Sequence, residues 1–122
     1  MRGNPIVEWL PFFCVMELIN DIDQLEVFVA DNKLCLLYIQ APDCGLCSIM
    51  LDKIEAVAQR FDNLRSARVE LLIVPEVAGA FLVATAPTVL MFAYGKEVYR
   101  AGTFIDTMEL ERVLEKWNEN LT

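Results

Sequence analysis

Apolar residues run almost unbroken from Leu34 to Ile39. Such a run reads as a strand buried on both faces, central in a sheet that helices cover. A few residues later the period changes. Cys47, Met50, Leu51, Ile54, Val57, Ala58 and Phe61 recur at helical spacing, with Asp52, Lys53, Glu55, Gln59 and Arg60 on the other side. The pattern predicts an amphipathic helix from about Gly45 to Asp62. Val69 to Val74 is a second buried run, ended by Pro75, and Thr88 to Ala93 is a third. Tyr94-Gly95-Lys96 turns the third strand back into Glu97 to Ala101. So short a loop makes that pair antiparallel.

Weaker signals fill the rest of the chain. Met16 to Ile19 is a short first strand. Asp23 and Glu26 have the spacing of a capping box, opening a helix that carries Leu25, Phe28 and Val29 and ends at Asp31-Asn32-Lys33. Glu76 to Val83 reads as a short helix. A second box, Asp106 and Glu109, opens a last helix with Leu110, Val113, Leu114 and Trp117 on one stripe. The order is β-α-β-α-β-α-β-β-α. It predicts an α/β fold, a central mixed β-sheet flanked by helices on both faces. Residues 16-122 form one domain in this reading. Residues 1-15 are an N-terminal extension in which Trp9, Phe12 and Phe13 are expected to pack on the domain, and Met16 is an alternative start.

Composition narrows the function classes. Of 122 residues, 56% are hydrophobic and 23% charged, enough to bury a core and unlike a disordered chain. A formal charge of -8, from 10 basic and 18 acidic residues, repels phosphate backbones and argues against nucleic acid as a partner. Glu8 and Pro11 interrupt the apolar residues near the N-terminus, and no small-residue cleavage site follows. Neither a secretion signal nor a membrane span is expected, which points to a cytoplasmic protein. Histidine is absent. Ser-His and Cys-His nucleophile pairs are therefore excluded within this chain, as are His ligands to zinc.

The remaining chemistry lies in Cys14, Cys35, Cys44 and Cys47. A zinc site would need all four thiolates. Cys35 falls inside an apolar strand and Cys14 near the N-terminus, so both read as small apolar fillers, and no metal or cofactor is expected. Cys44 and Cys47 are different, because two thiols stand where a strand gives way to a helix. A zinc half-site or chance also produces this spacing, but the βαβ setting favours a redox pair. The positive end of the helix stabilises a thiolate at Cys44, the candidate nucleophile. Cys47, nearly one turn on and part of the apolar stripe, is the candidate resolving thiol. A bridge between them closes a very small loop and suits a bond meant to open. Cys47 is also already in place when a mixed disulfide forms, an effective-molarity advantage.

Met16 to Glu119 resembles the thioredoxin-like family. The likeness rests on Cys44-Gly45-Leu46-Cys47 opening a long helix after a buried strand, on Thr85-Ala86-Pro87-Thr88 before the strand Val89-Leu90-Met91-Phe92, and on Gly95 and Gly102 around a closing hairpin. The resemblance implies a thioredoxin fold and thiol-disulfide exchange on disulfide-containing protein substrates, with a reductase regenerating the dithiol. It implies that Pro87 is cis and lies against the CxxC. Ala86 would then pair with an extended substrate segment, and Asp43, Gly45 and Leu46 would complete the binding surface.

The chain also departs from the family. Members commonly carry Trp just before the first cysteine, where this chain has Asp43. Its charge disfavours a thiolate at Cys44 by about 0.6 kcal/mol through water at ~7 Å, unless Asp43 serves to cap the helix, the reading preferred here. Thioredoxins proper bury a carboxylate six residues before that cysteine. Here the residue is Tyr38, whose phenol ionises far above neutral pH and cannot deprotonate Cys47; Glu70 or water would have to substitute. Leu46 replaces the usual Pro. The leading reading is a cytosolic oxidoreductase that reduces protein disulfides. A thioredoxin-fold adaptor with a slow or vestigial CxxC is the alternative, and a secreted oxidase would need residues 1-15 to act as an export signal.

Overall fold

The computed structural model describes residues 16–121. Their elements are β1 (Met16–Ile19), α1 (Ile22–Asp31), β2 (Leu34–Gln40), α2 (Gly45–Ala58), β3 (Arg65–Glu70), α3 (Glu76–Ala80), β4 (Thr88–Ala93), β5 (Lys96–Gly102) and α4 (Thr107–Glu119). The strands make one five-stranded sheet in the order β1-β3-β2-β4-β5. β3 runs parallel to β1 and β2, whereas β4 is antiparallel to β2 and to β5. The element order and the mixed sheet are those the residue pattern predicts. The N-terminal extension, with Cys14, lies outside the described residues.

β2 occupies the centre because both its faces are apolar. Side chains alternate along a strand, so Leu34, Leu36 and Tyr38 enter one layer while Cys35, Leu37 and Ile39 enter the other. The first layer packs against Met50, Ile54 and Val57 of α2 and Leu110 and Leu114 of α4. The second packs against Leu25, Phe28 and Val29 of α1 and Val77 of α3. The β4–β5 hairpin turns through Tyr94 (φ 53°) and Gly95 (φ 81°). Two successive positive φ angles are what a two-residue hairpin loop of matching twist requires.

Several boundaries differ from the sequence expectation. The second buried strand is Arg65–Glu70, not Val69 to Val74. Its ladder with β2 ends at the pair Gln40 and Glu70. Beyond that point the amides of Ile73 and Val74 turn back to the Glu70 carbonyl, at 3.0 and 2.9 Å. Leu72 and Ile73 consequently face solvent, while Val74 is buried. The first helix is capped two residues earlier than Asp23. Asp21 Oδ1 accepts the Gln24 amide at 2.8 Å, and Gln24 Oε1 accepts the Asn20 amide at 3.1 Å. Finally, α2 ends at Ala58 and α3 at Ala80, both short of the expected Asp62 and Val83.

Candidate active site

β2 brings the chain to one end of the sheet, where Ala41-Pro42-Asp43 turns it into α2. Asp43 is exposed with φ 58°, a left-handed conformation that Asp tolerates better than most residues. It does not cap the helix. Cys44 does, in an extended conformation, with its Sγ accepting the Cys47 amide at 3.2 Å. At φ 58° Asp43 lacks the extended backbone of an N-cap residue, which Cys44 has at φ −113°. The first turn of α2 contains no acidic residue. Its partial positive charge is therefore not offset from within the helix.

Cys44 and Cys47 are joined as a disulfide with their Cα atoms 5.3 Å apart. Cys44 is half-buried and Cys47 is 4% exposed. The burial difference follows from helical geometry, since Cys47 lies on the stripe that faces the sheet and Cys44 lies at the open end. Gly45 is exposed and Leu46 half-buried beside them. From across the sheet end comes the loop before β4. The Cys44 Sγ lies 3.9 Å from the Ala86 carbonyl oxygen. This is a contact and not a hydrogen bond while the sulfur is oxidised and carries no proton. The Ala86–Pro87 peptide bond is cis, with Pro87 buried and Ala86 half-buried.

Thr88 Oγ1 donates to the Thr85 carbonyl at 2.7 Å, and the Thr103 amide donates to the Pro87 carbonyl at 2.8 Å. A Cβ placed on Gly102 would stand 3.4 Å from Thr88 Oγ1 and 3.7 Å from the Pro87 oxygen. The end of β5 thus holds the Pro87 loop in place, a supporting role that no motif at Thr103 signals.

Beneath the pair, Tyr38 is wholly buried, and its hydroxyl donates to the Cys47 carbonyl at 2.6 Å. Burial pushes this phenol up to about 12. Glu70, the alternative base considered from sequence, closes the β3 ladder opposite Gln40. Among the described residues no hydrogen bond links it to Cys47. Cys35 is buried in the other core layer, and burial pushes its thiol up to about 12. Among the described residues no group of three or more His, Cys, Asp or Glu side chains is placed to hold a metal ion. No helix there is long and apolar enough to cross a membrane.

Residues 17–116 match the family model described as Thioredoxin. The chain belongs to the thioredoxin family. The thioredoxin-like protein YdfQ of Bacillus subtilis is 31% identical over 98 residues, covering 80% of this chain and 88% of that protein. The thioredoxin of Trypanosoma brucei brucei superposes with a TM-score of 0.81 over 98% of both chains, at 18% identity, a likeness of fold. The thioredoxin of Fasciola hepatica gives 0.75 at 26% identity, over 83% of this chain and 98% of that one. A thioredoxin-family fold carrying a CxxC pair at bonding distance is a thiol-disulfide oxidoreductase.

Proposed function

We propose that the protein reduces disulfides of other proteins, with Cys44 as the attacking thiol and Cys47 as the resolving one. One observation carries this assignment. Cys44 sits half-buried at the open N-terminus of α2 with its sulfur against Ala86, while Cys47, bonded to it, is buried beneath. The Cys44 thiolate attacks one sulfur of the substrate disulfide. A mixed disulfide forms, and the other substrate sulfur leaves as a thiolate that takes a proton from solvent. Cys47 then loses its proton and attacks the Cys44 sulfur. The Cys44–Cys47 bond closes and the second substrate thiolate departs. The substrate gains two electrons and two protons, and the enzyme's dithiol is oxidised.

An extended substrate segment would lie across Ala86 and Pro87, bordered by Asp43, Gly45 and Leu46, and pair with the Ala86 backbone by strand addition. Return to the dithiol requires a reductase, and net reduction requires a compartment kept reducing, such as the cytoplasm. In this setting the protein contributes to cell redox homeostasis.

The test is reduction of insulin disulfides with dithiothreitol as electron donor. The wild type should accelerate the reaction, and Cys44→Ser should fall to the uncatalysed rate. Cys47→Ser should retain substrate as an adduct on Cys44. Equal turnover by wild type and Cys44→Ser would replace the enzyme reading with that of a binding module built on the same fold.

A further inference from the structure

Both backbone polar groups of Cys47 are engaged. Its amide points to the cap, 3.2 Å from the Cys44 sulfur and 3.1 Å from the Cys44 carbonyl oxygen. Its carbonyl accepts the Tyr38 hydroxyl at 2.6 Å. Tyr38 is otherwise part of an apolar core layer that includes Leu36, Met50, Ile54 and, opposite it on β4, Val89, a layer in which a phenyl ring would pack equally well. A hydroxyl in such surroundings is costly unless bonded. The group it bonds belongs to the first turn of the helix that carries both thiols. The oxygen, and not the ring, ties β2 to the redox pair.

We propose that Tyr38 is a positioning residue for the resolving step, its hydroxyl holding the Cys47 backbone so that the Cys47 sulfur faces the Cys44 sulfur. The proposal rests on the assignment of Cys44 and Cys47 given above. Tyr38 holds no proton for the reaction. The groups around its layer leave it neutral at working pH. Arg68 occupies the register position opposite it on β3, with Glu55 of α2 facing Arg68. β4 offers Val89, α4 offers Leu110 and Leu114, and β5 offers the phenol of Tyr99. Burial alone sets its ionisation, far above neutral pH.

Stopped-flow reaction of the reduced protein with dithiobis-nitrobenzoate separates the two steps, in a Cys14→Ser background so that the pair alone reports. Attack by Cys44 releases one thionitrobenzoate at a rate that rises with reagent. Attack by Cys47 on the Cys44 adduct releases the second at a rate that does not. Tyr38→Phe should slow the second release about threefold to tenfold and leave the first within about twofold. Its pH inflection should not move, because the phenol does not titrate there. Equilibration with glutathione buffers should show the Cys44–Cys47 disulfide disfavoured by the same factor, a tenfold change corresponding to about 30 mV. Leu36→Val alters the same core layer but keeps the hydrogen bond, and its second release should match the parent.

A second release within about twofold of the parent overturns the proposal. Equal slowing of both releases does so too, as does equal slowing in Leu36→Val, since either marks general loosening. A shifted inflection would make Tyr38 a proton-transfer group and not a positioning one. If Cys44→Ser leaves the first release intact, the thiol assignment fails instead. The glutathione equilibrium then still measures what the Tyr38 hydroxyl contributes to the disulfide.

Discussion

Cys35 and Cys44 lie nine positions apart in the chain, yet their environments set opposite reactivities. Burial pushes the Cys35 thiol up to about 12, so at pH 8 only about one molecule in ten thousand carries a thiolate there. Cys44 stands at a helix terminus within reach of solvent. In reduced protein at pH 8, iodoacetamide should label Cys44 rapidly and Cys35 only after denaturation, as peptide mapping by mass spectrometry reads directly. Asp43 gives a second test. Its exposed carboxylate sits one residue before Cys44 and does not cap the helix. The Coulomb cost of about 0.6 kcal/mol at ~7 Å through water therefore has no compensating cap. Asp43→Asn should speed alkylation of Cys44 about twofold to threefold at low salt, and the gain should shrink as salt is added. The thiol pair was legible in the sequence because its chemistry is local: two sulfurs, a strand before them and a helix after. The Tyr38 hydroxyl was legible only as a missing carboxylate. Its partner is a backbone carbonyl nine residues on, and no side-chain pattern marks a carbonyl.

At the scale of elements, apolar runs located β2 and β4, which are buried on both faces, and misplaced β3. β2 as far as Ile39 and β4 from Val89 are apolar because both their faces are buried. β3 contains Arg65, Ser66 and Arg68, and its apolar residues Ala67 and Val69 alternate with them. The apolar run that follows, Leu71-Leu72-Ile73, lies past the end of its partner strands and forms a turn. Pairing, not hydrophobicity, fixes the boundary, and pairing is not written within a single segment. The same holds for the loop after α3, which is secured from a distant strand. The Arg100 guanidinium donates to the carbonyls of Phe81 and Leu82, each at 2.7 Å, and pairs with Glu97 on its own strand. Leu82 is held there with φ 56°. Arg100→Ala should cost about 1–2 kcal/mol, lowering the melting temperature by roughly 4–8 °C. Arg100→Lys should recover only part of this, because an ammonium lacks the fork that spans two carbonyls and a carboxylate. Thermal unfolding of the three proteins, with the redox pair oxidised in each, decides the matter.

For the whole molecule, the alternation along one central strand generates two core layers, and each layer traps a group that resists ionisation. Tyr38 lies in the layer under α2 and α4, and Cys35 in the layer under α1 and α3. Tyr99, on the strand beside Tyr38's layer, donates to Glu109 at 2.8 Å and is also raised, first by burial and then by that hydrogen bond. A group whose folded pKa is raised keeps its proton where the unfolded chain has lost it. The stability such a group supports is complete below the unfolded value and declines as pH climbs through the interval up to the folded one. For Cys35 the interval runs from 9.0 to about 12, and for Tyr38 from 10.0 to about 12. Tyr99 adds to the decline above 10.0. Each group contributes a slope of up to about 1.4 kcal/mol per pH unit within its interval. Urea midpoints measured from pH 7 to 11 should therefore hold level to about pH 9, fall gently to pH 10 and steeply beyond it. Cys35→Ala should start from a lower plateau, because a buried sulfur is lost, yet remain flat between pH 9 and 10. Tyr38→Phe should keep the early decline and soften the later one. A midpoint that falls equally in all three proteins would assign the alkaline transition to charge repulsion across the acidic surface and remove the buried groups from its cause.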